Sequence, residues 1–252
     1  MSSNYITQQK MSPRFFAQKR WLLVNGSLLL SLLILPPLLL AQNRDDYQIY
    51  VNNAQRSATI YRGVLPVAYD NKLPNDGSTY YAFSDRFLKG SVLFRGKWYK
   101  DLFLNFDANM DELCIADLDH GLFVVVNKHF VEQFSTENYT FVHYKQEAPS
   151  LLGDGYYQVL YEGNLKLYKK IKKQYYQLTS YGLEIKKGYT LLEHFFVWKD
   201  DRWHRIGTIG DLKKLFADQK RTIDTVVKTK GLHFRTHKEL TLTELLTHLD
   251  NL

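Results

Sequence analysis

The chain has 252 residues, 45% of them hydrophobic and 15% aromatic, and a formal charge of +7. Its single cysteine, Cys114, excludes an intrachain disulfide, and no cysteine follows the N-terminal apolar run to carry a lipid. No P-loop, dinucleotide fingerprint or G-x-S-x-G elbow is present, so the familiar phosphate-cradling and serine-nucleophile designs are absent from the text.

Lys10, Arg14, Lys19 and Arg20 precede an apolar run from Trp21 to Ala41, and no Asp or Glu occurs before Asp45. A basic lead, an apolar middle and a small terminal residue is the layout of a signal peptide. Pro36 and Pro37 break helical geometry just before Ala41. Residues 1–41 are therefore expected to act as a signal cleaved after Ala41, with a retained anchor over residues 21–41 as the alternative. Removing the four basic residues lowers the charge from +7 to +3. What remains is uneven, because residues 162–252 carry 18 basic and 11 acidic side chains. Such a surface can steer an anionic partner.

Residues 42–207 are expected to form a β-rich domain. Val92 and Phe94 share a face, and Arg95-Gly96-Lys97 turns the chain. Trp98, Leu102, Leu104 and Phe106 are expected on the next face, and Asp107-Ala108-Asn109 turns again. Leu113 and Ile115 follow, and Asp119-His120-Gly121 makes another turn. Leu122 to Val126 is apolar on both faces, as in a central strand. Phe130 and Phe134 are read as one face of the next strand, with Glu132 as its weak position. Tyr139, Phe141 and His143 make another. After the loop around Pro149, hairpins are expected at Glu162-Gly163-Asn164 and Lys199-Asp200-Asp201. Residues 43–78 and 174–194 receive no assignment.

The period then changes. Leu212, Leu215 and Phe216, followed by Ile223, Val226 and Val227, fall at helical spacing. Asp211 and Asp218 are expected as caps, with Gly231 closing the second helix. Thr241 with Glu244 reads as a capping box, ahead of a stripe of Leu242, Leu245, Leu246 and Leu249. Residues 208–252 thus read as a helical segment packed on the β-rich domain. The fold class is α+β, an antiparallel meander forming a sheet or partly closed barrel with a short C-terminal helical segment.

Gly90-Ser91-Val92, Tyr99-Lys100-Asp101, Asn109-Met110-Asp111-Glu112-Leu113, Tyr157-Gln158-Val159-Leu160-Tyr161 and Asp211-Leu212-Lys213-Lys214-Leu215-Phe216 together resemble a family of uncharacterised exported proteins from Bacteroidota-type bacteria. The resemblance implies export and a β-rich body with a helical tail. It brings no activity and no functional residues.

Two constellations carry candidate chemistry. Lys166, Tyr168, Lys170 and Lys172 fall on one face of a strand and would present ammonium groups and an aromatic to an anionic ligand. The competing reading is a charged edge strand that discourages aggregation. Asp107, Asn109 and Asp111 match the first three ligand positions of a calcium loop, but Glu112 stands where the turn glycine belongs and Leu118 where the closing Glu belongs. His233 and His237 are four apart but not on an established helix, and His194 and His204 could approach across the last hairpin; neither pair is a metal-ligand motif. Cys114 sits among apolar residues, as an inert thiol does.

The expected function is that of an exported cell-envelope or secreted binding or structural protein without catalysis and without a cofactor. Its expected partner is an anionic envelope component or another envelope protein. Nucleic acid is not expected, and the membrane enters only through an uncleaved N-terminal segment. The alternative is an exported hydrolase whose site is assembled from distant strands.

Overall fold

A computed structural model describes residues 59–66, 79–117, 121–146, 150–179 and 185–252. The readings for residues 1–58, including the cleavage site, lie outside these, as does most of the Asp119-His120-Gly121 turn. Thr59–Leu252 forms one compact unit, so the helical segment is part of the same body as the strands.

The unit is built on one ten-stranded antiparallel sheet, with spatial order β10-β9-β8-β7-β6-β5-β1-β2-β3-β4. In chain order the strands are β1 (Leu88–Phe94), β2 (Lys97–Asp107), β3 (Glu112–Asp117), β4 (Leu122–Val125), β5 (Val131–Thr136), β6 (Thr140–Tyr144), β7 (Gly155–Glu162), β8 (Lys166–Thr179), β9 (Ile185–Lys199) and β10 (Arg202–Ile206). The chain starts in the middle of the sheet and walks outward to β4. It returns through a short 3-10 turn, Lys128–Phe130, to pair β5 with the free side of β1, and then meanders to β10. The α+β class and the meander are as expected, and the sheet is open, with β4 and β10 at its two edges.

The sheet curls strongly. The rings of Phe106 on β2 and Tyr156 on β7 lie 5.9 Å apart although four strand spacings separate their strands. In a flat sheet that separation is about 19 Å. The curl is closed by the β2–β3 turn, where Lys173 N–H on β8 donates to Ala108 O at 2.9 Å. The concave face encloses an aromatic core in which Phe134 and Phe141 stack at 4.8 Å beside Phe106 and Tyr156.

Three helices complete the unit: α1 (Ile209–Leu215), α2 (Lys220–Thr229) and α3 (Lys238–Asp250). Leu242, Leu245, Leu246 and Leu249 are buried with Leu167, Phe195, Val197 and Ile206 of β8–β10, so the leucine stripe packs on the sheet as its period implies. Burying four leucines stabilises this contact by roughly 1.5–3 kcal/mol each. Asp250 at the end of α3 receives Asn164 N–H and Leu165 N–H at 2.9 Å each and ties the helix to the β7–β8 turn.

Several local readings are corrected. Trp98 does not share a face with Leu102: a bulge at Lys100–Asp101, with Asp101 at φ 58°, shifts the β1–β2 register and turns Trp98 outward. Phe130 and Phe134 do not form one face either. Phe130 lies in the 3-10 turn, and a bulge beside Glu132 puts Val131 and Phe134 together in the core, while Glu132 accepts Gly96 N–H at 2.7 Å. The apolar strand β4 is an edge strand, partly covered by a bridge from Val64 to Val125.

The helix starts also shift. Thr208 is the N-cap of α1, and Asp211 completes a capping box from the N3 position. The Thr208 N–H and hydroxyl, with the Gly207 N–H, hold the Asp211 carboxyl below its ordinary range. Asp218 falls in a 3-10 turn between α1 and α2. Thr241 lies inside α3, one turn beyond its start, so it cannot cap it. Gly231, at φ 59°, does close α2.

Candidate functional site

An open groove of about 870 Å³ lies between the start of α3 and the concave face of β7–β9. Gln158 and Phe195 of its lining belong to a row of cross-strand partners, Phe141–Gln158–Lys169–Phe195. Antiparallel partners share a face, so this row continues the aromatic core into the region under α3. Two of the four residues are polar, and both are buried: Gln158 is 4% exposed and Lys169 is 5% exposed.

Lys169 is neutralised from both walls. Its Nζ lies 3.2 Å from Glu193 of β9, and it donates to Glu239 of α3. Both carboxylates line the groove. An ammonium this deeply buried requires such partners, because removing it from water uncompensated costs several kcal/mol. Gln158 also lines the groove, yet its side-chain oxygen has no hydrogen-bond partner. A buried acceptor left so costs roughly 1–3 kcal/mol.

The rim is of opposite character. Arg235 is exposed and makes no ion pair among the described residues. The Lys238 ammonium stands over the rings of Phe195 and Phe234 at 5.7 and 5.5 Å. His237 occupies the N-cap of α3 but supplies no side-chain hydrogen bond, so the first N–H groups of the helix are uncapped at the groove. Leu191 and Leu240, about half exposed, add apolar surface on the two walls.

No family model, curated protein or solved structure matches this chain.

The residues expected to bind an anion are not brought together as one exposed face. β9 flanks β8 along its whole length, but β7 pairs with it only over Lys166–Lys169, so beyond Lys169 the strand extends as a two-stranded ribbon with β9. Tyr168 is buried, tilted against Trp203 at 4.7 Å, and its hydroxyl donates to Glu162 at 3.3 Å. Lys166 stands 3.9 Å from the same Glu162. Lys170 is turned into an ion pair, and Lys172 is exposed.

Asp107, Asn109 and Asp111 do not converge on a cation position. Asp107 Oδ1 accepts the N–H groups of Asn109 and Met110 at 2.9 and 3.0 Å, an ordinary Asx turn. Asn109 donates to Lys173 O at 2.7 Å, which anchors the turn on β8. Asp111 is held by the ammonium groups of Lys170 and Lys128. Among the described residues no group of three or more His, Cys, Asp or Glu has metal-binding geometry. His194 and His204 do not meet: the Arg205 guanidinium donates to His194 Nδ1 at 2.9 Å. Burial first, and that guanidinium second, hold the His194 imidazole below its ordinary range.

Sequence reasoning missed the groove residues. The signal for Lys169 was present, since it shares strand parity with Leu167 and Ile171 and therefore faces the core. Gln158 was likewise a lone amide inside the apolar run Tyr156 to Leu160. Glu193 and Glu239 carried no such mark, because only the folded chain places them on either side of Lys169.

Proposed function

We propose that this protein is an exported, non-catalytic binding module whose ligand lies in the groove between α3 and β7–β9. The observation that carries the reading is the groove's lining: two carboxylates that share the buried Lys169 ammonium behind them, beside a buried glutamine with an unpartnered oxygen. Polar groups placed in an otherwise apolar layer are costly to folding, and binding sites use a few such groups to orient a ligand. The volume of about 870 Å³ falls in the range of small-ligand sites. Export is supported by the basic lead and the apolar run ending at Ala41.

The reading is tested by a thermal-shift screen of small polar and amphiphilic compounds against wild type and Leu240→Trp. Leu240 is exposed on α3, so tryptophan there leaves the fold intact and fills the groove mouth. Compounds that raise the melting temperature of wild type but not of the variant support the reading. Hits that stabilise both proteins equally place the site elsewhere and overturn it.

A further inference from the structure

We infer that the groove, if it is the binding site just proposed, takes a short peptide with both ends free, its ammonium at Glu193, Glu239 and Gln158 and its carboxylate at Arg235 and the start of α3. The inference rests on charges of both signs lining one cavity. On the two walls, part-exposed Glu193 and Glu239 share a single ammonium, that of Lys169, which leaves one negative charge of this trio in excess. The neighbouring Gln158 oxygen is an acceptor without a donor. Its amide turns on a soft terminal torsion, so a donor entering the groove can engage it. These groups select a cationic, multiply donating head, which a peptide α-ammonium supplies with three N–H bonds.

The rim asks for the opposite. Arg235 is a fork of donors without an ion-pair partner among the described residues, and it suits a carboxylate bidentately. The uncapped N–H groups of α3 follow Arg235 in the chain, where the helix dipole favours negative charge, and Glu239 of the same first turn is engaged by Lys169. Beside these charges, Leu191 and Leu240 expose apolar surface to the groove. An ammonium at one end, a carboxylate at the other and an apolar middle describe a short peptide. A polyanion would set its charges against Glu193 and Glu239. A polycation would meet Arg235 and Lys238. A neutral sugar would leave both leucines and both charged poles unanswered. A single amino acid would fill only a fraction of about 870 Å³.

The test is calorimetric titration of the full chain with three probes: the tripeptide Ala-Leu-Ala, its N-acetyl form and its C-terminal amide. The free tripeptide is expected to bind, with about tenfold or greater loss on capping either end, the scale of one lost charge-assisted contact. In Arg235→Ala, which alters an exposed side chain, the penalty of amidation is expected to shrink several-fold while acetylation keeps its full penalty. Equal affinity of the three probes overturns the inference, as does absence of binding at millimolar peptide. If peptides fail while other compounds stabilise wild type and not Leu240→Trp, the ligand class is wrong and the groove stands. If the tripeptide binds wild type and Leu240→Trp equally, both readings fall together.

Discussion

Lys170 Nζ lies 2.6 Å from Asp111 Oδ1, joining β8 to the tip of the β2–β3 hairpin across 59 residues of chain. The same ammonium donates to Tyr156 O at 3.1 Å, and Lys128 pairs with the other carboxylate oxygen. Burial lowers the Lys170 pKa, and Asp111 opposes that shift. The pair fastens the curl of the sheet together with the turn hydrogen bonds from Lys173 N–H to Ala108 O and from Asn109 to Lys173 O. Gly155 leaves room for it: a Cβ there would press on both Lys170 Nζ and the Asp111 carboxylate.

Asp111→Ala is therefore expected to lower stability by about 2 kcal/mol, less than the roughly 3–5 kcal/mol of a fully buried pair because both side chains keep some solvent contact. Asp111→Leu combined with Lys170→Met should recover most of the loss, since the Lys170 ammonium is no longer stranded and Lys128 keeps Asp154 at 3.7 Å. Urea denaturation measures both. A double variant as unstable as the single one would show that the charge pair is not what holds the hairpin.

The buried ammonium behind the groove's lining makes a separate prediction. Lys169→Met leaves Glu193 and Glu239 facing one another without their shared cation, and a loss of roughly 3 kcal/mol is expected. Adding Glu239→Gln should restore part of it by removing one of the two like charges. Chemical denaturation of the single and double variants at neutral pH checks this, and a further drop in the double variant would contradict it.

Cys114 on β3 is 1% exposed, and burial, followed by Asp107 and Glu112, pushes its thiol up to about 12. The folded state holds this proton more tightly than the unfolded chain, whose thiol titrates near 9.0. The resulting stability is present below that value and is lost as pH rises through it toward 12. At pH 8 the native protein should resist iodoacetamide for hours and label rapidly in urea, as mass spectrometry would read. Fast labelling of the native state would place β3 outside the core.

Leu245 and Leu246 are both fully buried against the sheet. Truncating either to Ala should cost about 2–5 kcal/mol, and the pair together should unfold the protein or lower its melting temperature by well over ten degrees. Circular dichroism follows the loss. An unchanged melting temperature would mean that α3 is not part of the core.

Period and turn chemistry made most of the fold legible. The two-residue repeat with Gly96, Gly163 and Asp200-Asp201 at its turns marked the hairpins, and the leucine spacing marked α3 and its buried face. Bulges defeated the facing of Trp98 and Phe130, because one extra residue inverts the side of everything beyond it while leaving the text unchanged. The long ribbon of β8 and β9 around Tyr175 and Tyr189 resisted assignment because it is polar on both faces and shows no alternation. The site was less legible than the fold. Lysine density on β8 drew attention to Lys166, Lys170 and Lys172, whereas the informative lysine is Lys169, whose environment comes from β9 and α3. The apolar text of β4 implied a central strand, but which strand lies at an edge is a property of the return from β4 to β5.

The most direct test of the binding groove is methyl NMR of the leucine-labelled protein titrated with Ala-Leu-Ala. The expected result is saturable shifts at Leu191 and Leu240, on facing walls of the groove, with Leu178 at the far end of the ribbon unmoved. Shifts confined to other leucines, or none at Leu191 and Leu240 for any ligand that stabilises the protein, would contradict it.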